Sequence, residues 1–124
     1  MKIGEAISRI DALMHNTYTS EQKLAMLSKA DSMVKRNIVD THEGAEQVIF
    51  NGYTAETDLD TQLLVPPPFD ELYLRWMEAQ IHYHDGEYTK YNNAILLFNT
   101  ELEAYARDYN RTHKGLDTGR RFLF

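Results

Sequence analysis

The stretch "IHYHDGEY", residues 81–88, gathers His82, His84, Asp85 and Glu87 within six residues. Two chemistries would use such a set: holding a metal ion, or acid–base work near neutral pH. Both depend on direction as well as density. On a helix, His82 and His84 point about 200° apart and cannot share one ion. On a strand they would share a face, but the flanking pattern is helical. Zinc-binding helices place His at i and i+4, as in HExxH, and that motif is absent. Glu78 with His82, and His84 with Tyr88, do stand four apart. One carboxylate and one imidazole still need remote ligands to make a site. The structural reading is that Asp85-Gly86 ends a helix. Glycine is common where a chain turns left-handed past a helix end. Two histidines in the last turn suit its partial negative charge. The stretch then reads as the corner of a helical hairpin, with Asp85 or Gly86 capping a helix whose first turn begins with Glu87.

Other catalytic patterns are missing. There is no GxSxG and no phosphate-binding glycine loop, and "HEG" at 42–44 lacks a second histidine at ligand spacing. With no cysteine, thiolate chemistry and a disulfide scaffold are excluded. Acid and base candidates are then scattered carboxylates and five histidines. No catalytic residue, cofactor or metal is expected. A metal-dependent enzyme using His82, His84 or His42 is the third-ranked reading. Most of the eight tyrosines and the single tryptophan are expected in the core. The basic-aromatic run "YNRTHK" is explained by a helix C-terminus more cheaply than by single-stranded nucleic acid.

Charge is unevenly spread. The net charge is −6, which disfavours generic nucleic-acid binding. Between Asn37 and Leu74 there is no Lys or Arg, while Asp40, Glu43, Glu46, Glu56, Asp58, Asp60, Asp70 and Glu71 are acidic. The last twenty residues reverse this, with Arg107, Arg111, Lys114, Arg120 and Arg121 against Asp108 and Asp117. Two solvated surfaces would explain the split. So would complementary faces that meet between subunits.

The elements that position these residues are helical. A chain of 124 residues, 43% hydrophobic and 26% charged, fits one globular domain. The opening residues carry no apolar run of signal-peptide length, and no stretch approaches the roughly 20 apolar residues of a membrane span. A soluble, non-secreted protein is expected, with no membrane partner. Ile3, Ile7, Ile10 and Met14 share one helical face over residues 2–14, widened by Ala6 and Leu13. Thr19 and Gln22 read as a capping box for a second helix over 20–39, with Ser20 as the competing cap. Leu24, Leu27, Val34 and Ile38 form its stripe. Asp31 falls inside that stripe, so it is expected at its edge or paired with a Lys or Arg. Residues 41–67 lose the helical period, and "VIFNGYT" predicts an extended arm or short hairpin. Prolines 66–68 favour polyproline II and a stiff lead into a third helix near Pro68 or Phe69, with Asp70 and Glu71 in its first turn. That helix is apolar on two sides and therefore central. A fourth, over 87–112, carries the seam Tyr88, Tyr91, Ile95, Phe98, Leu102, Tyr105 and Tyr109, roughly 39 Å long. Asn92 and Asn99 flank it as register candidates. The fold class is thus all-α: a four-helix bundle-like domain over 1–115 with a long irregular excursion, then a tail over 116–124. Its terminal Phe122, Leu123 and Phe124 must fold back on the core or dock on a partner.

Several motifs carry a resemblance: prolines 66–68, "FDELY" at 69–73, "HYHDGE" at 82–87, "KYNN" at 90–93, "FN" at 98–99 and "YNRTH" at 109–113, with "DTHEG" and "FNGYT" upstream. Together they make residues 3–115 similar to a family of small proteins of tailed phages and prophages of Gram-positive bacteria. The resemblance implies a virion assembly protein of the head–tail connector or head-completion type. Such a protein is a small helical bundle that joins a ring under the portal. Implied partners are the portal, neighbouring connector or tail proteins, and further copies of itself. Implied locations are the host cytoplasm during assembly and then the head–tail junction. No catalytic residues come with the family, and no sequence-specific nucleic-acid contact is expected. On that reading Arg120, Arg121, Phe122, Leu123 and Phe124 dock on a partner, and the acidic arm, with Glu43, Glu46, Glu56, Asp58 and Asp60, faces a neighbouring subunit. The alternative is a small homodimeric regulatory or interaction module in which the fourth helix packs on its copy.

Overall fold

The computed structural model describes residues 1–116. Four α-helices make the body: α1 (Ile3–Leu13), α2 (Ser20–Asn37), α3 (Leu72–His84) and α4 (Tyr88–Thr112). Short 3-10 turns at Val39–Thr41 and Ala45–Gln47 open the excursion between α2 and α3. The described residues contain two isolated antiparallel bridges, Lys2 with Gln62 and His42 with Gly115, and no strand. The all-α expectation holds and the hairpin does not form.

Helix α3 is the centre. It packs against α1, α2 and α4. Leu72, Tyr73, Leu74, Trp76, Met77, Ala79 and Ile81 are all buried, so it is covered on nearly every side, as its two apolar stripes require. Helix α1 buries Ile3, Ala6, Ile7 and Ile10, whereas Leu13 is 57% exposed and lies off the stripe. The Thr19 hydroxyl caps α2 by accepting the Gln22 amide at 3.1 Å, and the Gln22 side chain accepts the Thr19 amide at 2.8 Å. These two bonds satisfy donors that a helix start leaves open.

Further expectations are corrected. Helix α3 starts at Leu72, after a run of i→i+3 turns from Pro66 in which the Pro67–Pro68 bond is cis. Asp70 and Glu71 therefore precede the helix and anchor the N-terminal segment. The Asp70 carboxylate meets the Met1 amino group at 3.2 Å, and Glu71 meets Arg9 at 2.6 Å. On α4 the buried seam is shorter than its sequence pattern. Tyr88 is 59% exposed, and Asn92 and Asn99 stand in solvent rather than fixing register. Full burial along α4 falls on Ala94, Phe98, Tyr105 and Tyr109.

The α3–α4 corner stops α3 as its sequence predicts, while the cap of α4 differs. Gly86 takes φ +76°, which an L side chain disfavours. The Gly86 amide donates to the Tyr83 carbonyl at 3.1 Å and the Glu87 amide to the His82 carbonyl at 2.9 Å. This pair of bonds is the Schellman pattern, which closes α3 and reverses the chain within two residues. The N-cap of α4 is Glu87, and neither Asp85 nor Gly86 fills that position.

Candidate functional site

The histidines of the corner diverge. His82 Nδ1 lies 3.2 Å from Glu87 Oε2, on the side facing α4. The His84 ring contacts Tyr18 at 6.1 Å and Tyr83 at 5.8 Å. Lys90 also reaches Glu87, at 3.3 Å. The bond from Lys90 is the largest influence holding the Glu87 carboxyl below its usual range. No group of three His, Cys, Asp or Glu among the described residues could hold a metal ion.

The third histidine of interest, His42, is buried and serves as a clasp. Its Nδ1 lies 2.7 Å from the Ile38 carbonyl and its Nε2 lies 2.6 Å from Asn110 Oδ1. Its ring meets Tyr109 edge-on at 4.8 Å. The end of α2 is thereby tied to the end of α4. Just outside this clasp, the Glu43 amide donates to the Lys114 carbonyl at 2.8 Å and the Leu116 amide to the Thr41 carbonyl at 3.0 Å.

A second clasp sits at Asp31, which is fully buried rather than at the edge of its stripe, and no Lys or Arg among the described residues pairs with it. Tyr73 donates its hydroxyl to Asp31 Oδ1 at 2.5 Å, and Tyr53 donates to Oδ2. The Leu64 amide donates to Oδ2 at 3.1 Å. Burial pushes the Asp31 carboxyl above its usual range, against the pull of these three donors. Burial beside that carboxylate likewise raises both tyrosine hydroxyls. A carboxylate in the middle of an apolar stripe was the only sequence signal for this node. Its partners stand too far along the chain for spacing to reveal them.

The excursion is consequently a strap and not a free arm. It is held at its start by Lys114 and Leu116, in its middle by Asp31, and at its end by the N-terminal segment. There, the Ile3 amide donates to the Thr61 carbonyl at 3.0 Å and the Gly4 amide to the Leu59 carbonyl at 2.9 Å. A side chain at Gly4 would meet that Leu59 oxygen at 3.3 Å, a tight contact that would push the strap back by a few tenths of an ångström. The strap presents its charge outward: Glu43, Glu46, Glu56, Asp58 and Asp60 are all exposed. Glu43 lies 3.9 Å from Lys114, and Asp40 lies 2.5 Å from Lys35. Glu46, Glu56, Asp58 and Asp60 make no ion pair among the described residues. Arg120, Arg121, Phe122, Leu123 and Phe124 lie outside the described residues.

Two surface concavities bear on recognition. One, of about 450 Å³, lies between α2 and α3 and is lined by Tyr18, Gln22, Met26, Trp76, Gln80 and His84. The Trp76 indole N–H there is already committed to the Met26 carbonyl at 2.9 Å. The other, of about 230 Å³, lies wholly in the strap, between Ile49–Tyr53 and Thr57–Leu64. No helix among the described residues is long and apolar enough to cross a membrane. No family model, curated protein or solved structure matches this chain.

Proposed function

We propose that this chain is a structural protein of phage virion assembly, a head–tail connector or adaptor that joins a ring on the portal. The observation that carries the reading is the strap. A long irregular segment is pinned at three places, yet it keeps Glu46, Glu56, Asp58 and Asp60 outward and without cationic partners among the described residues. Fixed surface charge of one sign suits a partner of the other sign, because like charges held together cost energy until they are matched. The motifs that resemble the phage family fall on this strap and on the α3–α4 hairpin. The basic, phenylalanine-rich residues 120–124 supply the opposite character within the same chain.

A specific observation favours the second reading, a homodimeric interaction module. Leu96 and Leu97 stand 64% and 47% exposed on α4. Packing of α4 on its copy would cover them. Light scattering at several concentrations, with and without portal protein, separates the two. The connector reading expects a large complex only when portal is present. A stable dimer that ignores portal contradicts it and favours the module.

A further inference from the structure

We propose that the groove in the strap receives residues 120–124 of a second copy of this chain. The inference rests on the self-association part of the assembly reading and names the two surfaces that would meet.

The groove has an apolar floor, and acidic residues flank one wall in sequence. Phe50 and Tyr53 meet edge-on at 5.1 Å, and Leu64 packs half-buried against the core beneath them. Ile49 at the mouth is 80% exposed. The far wall is Thr57 and Thr61, and the exposed Glu56 and Asp58 flank Thr57 in sequence, whereas Asp60 lines a separate concavity with Lys2 and Arg9. The sequence from Asn37 to Leu74 carries no Lys or Arg. The groove is also pre-shaped. The Ser28 hydroxyl accepts the Tyr53 amide at 3.1 Å, and Asp31 holds Tyr53 and Leu64 from below. A binder therefore meets a formed site and does not bear the cost of ordering a loop.

Residues 120–124, "RRFLF", are complementary in the same order. Two guanidinium groups match Glu56 and Asp58, where bidentate pairing with carboxylates is available. Phe122, Leu123 and Phe124 match the floor. Because groove and segment are different surfaces of one chain, their pairing is head-to-tail, and such a contact closes into a ring when the rotation permits.

The absence of cysteine makes a clean test available. A Gly119→Cys variant of the full chain takes a nitroxide at one place only. Spin-labelled, unenriched chain is mixed with 15N-enriched chain carrying no label, and line broadening is read on the enriched amides. The expected result is intermolecular broadening centred on residues 49–53 and 57–64. It should weaken as salt screens these charges. It should vanish when the labelled chain also carries R120E and R121E, and return when the enriched chain carries E56K and D58K. A second sample, of spin-labelled and 15N-enriched chain diluted in unlabelled, unenriched chain, reads the intramolecular contact: broadening of these amides there and not in the first sample would overturn the proposal, since the segment would then fill its own groove. Broadening elsewhere, on the Tyr18–Trp76 concavity for example, or none at all, would overturn it too. Portal binding is scored on the same samples by co-sedimentation. Portal binding without groove broadening removes the groove assignment and leaves the assembly reading. Groove broadening without portal binding does the reverse.

Discussion

The Tyr73 hydroxyl donates to Asp31 Oδ1 at 2.5 Å while accepting the Val65 amide at 2.8 Å. One side chain on α3 thus joins a carboxylate on α2 to the end of the strap. Substituting Asp31 by Ala orphans the Tyr53 hydroxyl and the Leu64 amide and leaves Tyr73 without its acceptor. At about 1–3 kcal/mol for each buried group left unsatisfied, the loss should reach several kcal/mol. Asn keeps the shape and one acceptor oxygen, so Asp31→Asn should cost less than Ala. The single tryptophan, Trp76, whose ring lies 5.1 Å from Phe98, reports the transition in urea. Equal stability of wild type and Asp31→Ala would remove the clasp from the account.

The pH dependence of that clasp has a definite sign. Burial raises the folded Asp31 carboxyl above its unfolded value. The folded state therefore holds the proton more tightly, and the contribution of Asp31 is fullest below the unfolded value near 3.8. It declines as pH rises through the folded value. Asn does not titrate, so the stability difference between wild type and Asp31→Asn should be largest in acid and shrink toward neutrality. A difference that grows with pH would mean the three donors outweigh burial.

Asp11 should behave in the opposite way. The bond from Lys23, at 2.5 Å, is the main reason its carboxyl lies below the usual range. Its contribution is present above the unfolded value and is lost as pH falls through the folded one. Lys23 is 5% exposed while its partner faces solvent. Asp11→Asn should therefore flatten the acid limb of the stability curve. An unchanged acid limb would show that the pair contributes nothing.

At the hairpin corner, Gly86→Ala should destabilise by about 1 kcal/mol, because Ala does not readily adopt φ +76°. Nothing lies within 4 Å of where its Cβ would stand, so backbone conformation alone accounts for the loss. Gly115→Ala offers a comparison: it also meets nothing within 4 Å, and its φ is not positive. Urea titrations of both variants check this, and equal losses at the two sites would contradict it.

Much of this fold was legible because its signals are local. The Thr19–Gln22 box, the Asp85-Gly86 stop and the two stripes of α3 each lie within a few turns of chain. The strap was not legible. Its position depends on Asp31, on the Gly4–Leu59 approach and on the Leu116–Thr41 bond, all between residues far apart in sequence. Its residues have neither period, so the Asn51-Gly52 pair suggested a hairpin. In the structure Gly52 does take a left-handed turn, at φ +89°, but the following amide goes to Ser28 rather than to a partner strand. The exposed carboxylates of the candidate surface were readable as charge. What the sequence could not give was their fixed setting on a strap that holds an apolar groove.

Co-sedimentation with portal rings tests the central claim most directly, comparing the full chain with one lacking residues 117–124. The account expects both to show the same helical circular dichroism and the same Trp76 unfolding midpoint. The account predicts that the full chain sediments with the rings and the shortened chain stays in solution. A shortened chain that sediments equally well, or one that has lost its helical fold, would contradict it.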